Sequence, residues 1–223
     1  MNSQTSKLET NRQTGRNQVS EQRASILDAA ERLFLQNGIV HTKMVDIAAE
    51  VGITKITLYR YFPNRDMIAL EIHERMINKI AAQVDVDEWD VSFETARKMA
   101  RSMIRNYESL KDAYRYMGMF DNQYLDNPPE SAMAQWTKNQ LLAFTMKGAN
   151  IADLSRQATQ GNRFVMVLST VIWFLEKLAL RGELTWSDQS VPLEEHLRLF
   201  EEMILGYIER FGGEAWMGDE PVR

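Results

Sequence analysis

Apolar residues recur along this chain at the three-to-four-residue spacing of helices, and nowhere in the alternation of strands. Ser20 is placed to cap a first helix in which Ile26, Ala30, Leu33 and Phe34 share a face beside Ala29, and Gly38 stops it. Thr42 can cap a short second helix carrying Val45, Ile47, Ala48 and Val51, which Gly52 ends. Thr54 can cap a third, Lys55 to Phe62, closed by Pro63, which has no backbone donor to extend it. Asn64 caps a fourth, whose Ile68, Ile72, Met76 and Ile80 repeat every four residues. The acidic run Asp85 to Asp90 breaks the pattern and reads as a linker or bend. Beyond it, Phe93, Ala96, Ala100, Met103, Tyr107, Leu110 and Tyr114 line one face of a single long helix. Asn127-Pro128-Pro129 is a breaker, and Met133, Trp136, Gln140 and Phe144 trace the next helix. Gly148 and Gly161 bracket a short segment. Two apolar helices finish the chain, about Asn162 to Arg181 and Pro192 to Phe211. The pattern predicts an all-α fold: an arm over 1–19, a small helical domain over 20–65, a larger one over 66–213 that opens with a connecting helix (66–84), and a tail over 214–223.

Charge adds an asymmetry to this picture. The net charge is −5, yet residues 1–65 carry nine Lys/Arg against six Asp/Glu, and residues 66–223 carry seventeen against twenty-five. A basic head on an acidic body suggests that one end alone meets a polyanion, although a split of this size also arises by chance. Residues 1–19 are rich in Asn, Gln, Ser and Thr and read as a flexible arm, whose Arg12 and Arg16 suit a DNA groove or simply water. The absence of cysteine excludes a disulfide scaffold, a thiolate zinc site and a cysteine nucleophile, and fits a cytoplasmic protein. The N-terminal residues show no signal-peptide pattern. The run Phe164 to Leu175 is too short to span a bilayer and leads into Glu176 and Lys177, so no membrane partner is expected.

The informative stretch is Ile47 to Phe62. Two short helices joined by a glycine turn make a helix-turn-helix. Ala48 keeps the first helix slim at the crossing, and Ile53 fills the angle between the two. At 100° per residue, Leu58 and Phe62 face inward on the second helix, which leaves Ile56, Thr57 and Arg60 outward with Tyr59 and Tyr61 on the flanks. Arg60 can donate two hydrogen bonds to a guanine edge, and Ile56 or the Thr57 methyl can pack on a thymine methyl. Lys43, Thr54, Lys55, Tyr59 and Tyr61 suit phosphate oxygens, which position a protein without reading sequence. Thr42 and Arg65, near the starts of two helices, are placed to clamp the phosphate backbone.

Residues 23–68 resemble the DNA-binding domain of TetR-family repressors. The likeness lies in Arg23-x-x-Ile26-Leu27-x-Ala29-Ala30, Leu33-Phe34, Gly38, Thr42, Ile47-Ala48, Val51-Gly52-Ile53-Thr54-Lys55, Thr57-Leu58-Tyr59-x-Tyr61-Phe62 and Asn64-Arg65. Ile56 departs from the family, which often has a small residue there, and Arg65 stands where lysine is usual. The resemblance implies an Ω-shaped homodimer with an all-helical C-terminal domain, whose last two long helices form a four-helix bundle with the partner's. It also implies palindromic operators, repression, and release by a small ligand.

The terminal helices carry apolar stripes that suit a dimer interface or a monomeric core. Val167, Val171, Phe174 and Leu178 lie on one, and Leu197, Phe200, Ile204 and Ile208 on the other, with Leu199 and Met203 off that stripe. Met103, Tyr107, Tyr114, Met117, Phe120, Trp136, Phe144 and Trp173 suit an adaptable pocket for a hydrophobic or aromatic effector, and equally suit plain packing. Glu108, Asp112, Asp121 and Glu176 would favour a cationic ligand if turned inward, but read more simply as solvated. His41, His73 and His196 are scattered, and no metal-ligand spacing, nucleophile elbow or phosphate loop is present, so no enzyme, metal or cofactor is expected. The alternatives are a regulator of this fold without a small-molecule effector, and an all-helical enzyme or scaffold.

Overall fold

The computed structural model describes residues 2–84, 92–124, 158–181 and 191–211, where every regular element is helical. In chain order these are α1 (Asn2–Asn37), α2 (Met44–Val51), α3 (Lys55–Tyr61), α4 (Arg65–Ala81), α5 (Phe93–Arg105), α6 (Tyr107–Tyr124), α7 (Ala158–Arg181) and α8 (Leu193–Phe211). They form two compact units, residues 1–72 and 73–223, with α4 contributing to both. The predicted bend over 85–90, the breaker at 127–129, Met133, Trp136, Gln140, Phe144, Gly148 and the tail over 214–223 lie outside the described residues. None of the described helices is long and apolar enough to cross a membrane.

In the first unit α1 packs on α2 and α2 on α3. Ile26, Ala30 and Phe34, spaced by four, are fully buried, as are Ile47, Leu58 and Ile68 from the next three helices. Gly38 takes a left-handed φ of 86°, and its N–H closes on the Phe34 carbonyl at 2.8 Å. α1 does not start at Ser20. It is continuous from Asn2, so Ser20 lies inside a helix and caps nothing. Residues 2–19 contain no proline and many good helix formers (Gln, Lys, Arg, Glu), which allows the extension. The side chains of Arg12 and Arg16 are outside what is described.

In the second unit α6 packs along α7, and α5 packs against α7 and α8. The expected single helix through Phe93 and Tyr114 is broken at Asn106. The Asn106 amide donates to the Gln83 carbonyl at 3.2 Å, beside Ser102 Oγ donating to the same oxygen at 2.8 Å. A side chain that bonds to outside backbone competes with helix continuation, and none of the apolar positions signals it. Arg101 and Arg105 both reach Glu201, at 3.2 and 3.6 Å, and tie α5 to α8. The segment expected between Gly148 and Gly161 does not end at Gly161, which lies within α7.

The proposed dimer stripes prove to be largely internal. Val167, Val171, Leu178, Phe200, Ile204 and Ile208 are buried within the chain's own second unit. Phe174 stacks on Phe200 with ring centroids 3.7 Å apart, and Leu197 is half-buried. Helical periodicity finds an apolar stripe but not whose surface covers it. The apolar surface left outside is different: Met166 and Trp173 on α7, and Leu199 and Met203 on α8. Trp173 is 60% exposed and Met203 59%.

His73, expected only as a stray histidine, is buried with its ring 4.2 Å from Phe120. Burial lowers its pKa from 6.5 to about 4. The unfolded chain therefore binds a proton that the fold refuses. Stability from this residue is complete above pH 6.5 and falls as pH drops towards 4, by about 3 kcal/mol. His73→Phe, which keeps a ring against Phe120, is expected to flatten urea stability between pH 7 and pH 4.5. An unchanged slope would place the acid sensitivity elsewhere.

Candidate nucleic-acid interface

The turn between α2 and α3 is closed by backbone alone. Gly52 sits at φ 75°, its N–H donates to Ala49 (3.1 Å), and the Ile53 N–H donates to Ala48 (2.9 Å). This pair of bonds is a Schellman stop, which a Cβ at position 52 would strain. Two residues later Thr54 caps α3, its Oγ1 accepting from the Thr57 N–H at 3.1 Å. The chain thus leaves one short helix and enters the next within three residues, fixing the angle at which α3 is presented.

α3 then divides as its spacing requires. Leu58 is fully buried and Phe62 follows beneath it. Ile56 is 79% exposed, an unusual position for isoleucine, and Lys55, Tyr59 and Arg60 are exposed around it. Thr57 is half-buried and its hydroxyl lies 2.9 Å from that of Thr54. Lys55 Nζ stands 5.6 Å from the Tyr59 ring. Among the described residues no ion pair takes up the side chain of Lys43, Lys55 or Arg60. An exposed isoleucine between cations and a tyrosine is the surface that base edges and phosphates require.

Two expected phosphate ligands are engaged otherwise. Thr42 is 1% exposed, and its hydroxyl donates to the Gly38 carbonyl at 2.9 Å. It closes the α1–α2 turn and cannot offer that proton to phosphate. The N-cap of α2 is Lys43 instead, whose N–H is held by Asp46 Oδ2 at 3.0 Å. Arg65 donates to the Val40 carbonyl at 2.7 Å and ties the start of α4 to the loop before α2. Tyr61, half-buried, borders a cavity that Val51 of α2 and Gln18, Gln22 and Ser25 of α1 also line. Val45 of α2 is exposed. Asn64 does cap α4, accepting from Met67 N–H at 2.9 Å.

Arg23 is the organising residue that periodicity does not find. Its guanidinium bonds Glu71 of α4 through Nε (3.0 Å) and Nη2, and donates through Nη1 to the Tyr61 carbonyl at 3.0 Å. It also lies 4.1 Å over the Phe62 ring. One side chain on α1 therefore fixes the end of α3 and the first turns of α4. Arg32 and Glu50, 3.1 Å apart, add an exposed tie between α1 and α2.

Of the expected effector residues, Met103, Tyr107, Tyr114, Met117 and Phe120 are buried in the second unit. Trp173 is not among them: it points outward, and Trp136 and Phe144 lie outside the described residues. Glu176, read from sequence as solvated, is 3% exposed. An open cavity of about 430 Å³ beside α5 is lined by Arg97, Lys98, Arg101 and Arg105, but three of these cations are held by Glu94 and Glu201.

Residues 26–72 match the family described as bacterial regulatory proteins, tetR family. An uncharacterised HTH-type transcriptional regulator of Mycobacterium tuberculosis is 33% identical over 87 residues, 39% of this chain and 43% of that one. The HTH-type transcriptional regulator TtgR of Pseudomonas putida is 32% identical over 77 residues, 33% of this chain and 37% of its own. The matched segment thus spans less than half of either relative. A TetR-family transcription regulator from Marinobacter aquaeolei superimposes with a TM-score of 0.56 at 20% identity, over 86% of this chain and 97% of that one. That likeness extends the shared fold through the second unit.

Proposed function

We propose that this chain, whose residues 26–72 match the tetR family of bacterial regulatory proteins, is a transcriptional regulator of that family and a homodimeric repressor. It binds a palindromic operator in the cytoplasm and leaves it when a small hydrophobic or aromatic ligand enters the second unit. The observation that carries the reading is the face of α3, where Ile56 and Arg60 are exposed beside Lys55 and Tyr59 on a helix fixed from behind by Leu58 and Arg23. Two such helices, held about 34 Å apart by a dimer, would enter successive major grooves.

Dimerisation is supported by the uncovered apolar face. Leu199 and Met203 of α8 lie on one side with Gly206, around which a Cβ would meet nothing within 4 Å. Glycine in an exposed helix interior costs about 1 kcal/mol relative to alanine, which favours a role such as close approach by another helix. Met166 and Trp173 extend the apolar surface on α7. Ligand control is supported by the buried Met and Tyr side chains of α5 and α6, and α4 is the covalent connection from that unit to the reading head.

The α3 assignment is tested by two substitutions. Arg60→Ala is expected to relax preference at one base position in each half-site, at about 1–3 kcal/mol. Lys55→Ala is expected to weaken all sequences alike and to reduce the salt dependence of binding by about one counterion. Mobility shifts on operator variants at two salt concentrations measure both, and uniform effects from both changes would refute the assignment.

A further inference from the structure

We infer that the second unit takes a ligand bearing a protonated amine or a related organic cation, bound at Glu176 with Tyr114 and Tyr107 beside it. This rests on the ligand-responsive reading above and names the chemistry of its effector.

Three polar atoms carry the inference. Glu176 Oε1, Tyr114 Oη and Tyr107 Oη are all buried, and none has a hydrogen-bond partner among the described residues. Buried polar atoms are ordinarily paired, and a lone one raises the question of what completes it. These three come from one region. α6 and α7 meet so closely at Gly118 that a Cβ there would lie 3.3 Å from Glu176 Cβ and 2.7 Å from Leu180 Cδ1. Tyr114 is one turn before Gly118 on α6, and Asp121 is one turn after it, so both share the side that faces Glu176. Tyr107 stacks on Tyr114 with ring centroids 6.0 Å apart.

The charges select the ligand class. Glu176 and Asp121 repel one another, and burial pushes both upward, to about 8 and about 6. Lys177 is the cation that opposes them, and its Nζ donates to Asn122 Oδ1 at 3.2 Å. A cation within hydrogen-bond reach of Glu176 would offset the burial that raises its pKa and hold the carboxyl in its charged form. A ligand ammonium would supply that cation, donate to Glu176 and to the tyrosine oxygens, and find two aromatic faces of the kind that attract cations. A neutral apolar ligand would leave all three polar atoms as they are.

The test uses the purified full-length protein with ω-phenylalkylamines, from benzylamine to 6-phenylhexylamine, and their matched alcohols. Calorimetry should show the best amine binding about tenfold or more tighter than its alcohol. Glu176→Gln should abolish that preference, and Tyr114→Phe, which removes only the hydroxyl, should reduce it several-fold. Runs in buffers of different ionisation enthalpy should show proton release when the amine binds near pH 7. Equal binding of amine and alcohol would overturn the cation assignment, as would binding that Glu176→Gln leaves unchanged or failure of every amine to bind. The same preparations, assayed by mobility shift on DNA selected from a random pool, separate the two levels. Selective DNA retention without amine preference removes only this inference, while loss of selective retention removes the regulator reading beneath it.

Discussion

A protein carrying Trp173→Glu and Met203→Glu is expected to be a folded monomer whose operator affinity is at least a hundredfold lower. Both side chains are more than half exposed in the single chain, so the substitutions disturb little of its own packing. In a symmetric pair each position counts twice. Burying one large apolar side chain contributes about 1.5–3 kcal/mol, and four carboxylates in the same interface would replace that gain with a desolvation penalty. The loss then reaches DNA, because two linked reading heads gain about 10²–10⁴ in affinity over one. Sedimentation, circular dichroism and mobility shift measure the three parts. Val171→Glu and Ile208→Glu are the informative contrast. Both residues are fully buried in the chain's own core and should cost folding itself. A dimer that survives the double substitution would place the interface on another surface.

The second large effect concerns Glu176. Burial, and the neighbouring Asp121, raise its pKa from 4.5 to about 8. The folded state therefore holds a proton that the unfolded state has released between those values. The sign follows directly: stability is highest below pH 4.5 with respect to this group and is lost as pH rises to about 8, by a few kcal/mol. Glu176→Leu is expected to remove that loss, so the variant should exceed the wild type by a margin that grows from pH 5 to pH 9 in urea titrations. Parallel curves would show that the carboxyl is solvated or paired in solution. The direction is opposite to that expected from His73, so the two residues separate cleanly along the pH axis. A buried acid that weakens the fold is the kind of feature retained for binding, and the same substitution should remove the amine preference.

Much of the reading head was legible in the sequence because its determinants are local. Gly38, Gly52, Thr54 and Asn64 each act within five residues of themselves, and all four do what their residue types suggest. Leu58 and Ile56 take opposite sides of α3 because a helix of seven residues leaves little choice. The errors have a common cause in tertiary partners. Thr42 has the composition of a cap, yet the Gly38 carbonyl takes its hydroxyl. Arg65 has the composition of a phosphate ligand, yet the Val40 carbonyl lies in reach. Arg23 lies far in sequence from Glu71 and Tyr61, and no local pattern announces that contact. In the second unit the stripes through Val171 and through Ile208 were found, but which apolar surface remains outside depends on how α7 and α8 lie against their neighbours. Glu176 was misread for the same reason: it is buried by tertiary packing, on a helix that approaches α6 closely at Gly118.

α3 is proposed to read base sequence. The most direct measurement is selection of DNA from a random pool by the wild type and by an Ile56→Ala, Arg60→Ala variant, at moderate salt. The wild type is predicted to enrich a two-fold symmetric site with half-sites about one helical turn apart, or a multiple of it, and the variant to lose the enriched positions while keeping weak, salt-sensitive binding. An unenriched pool, or the same enriched site from both proteins, would contradict the account.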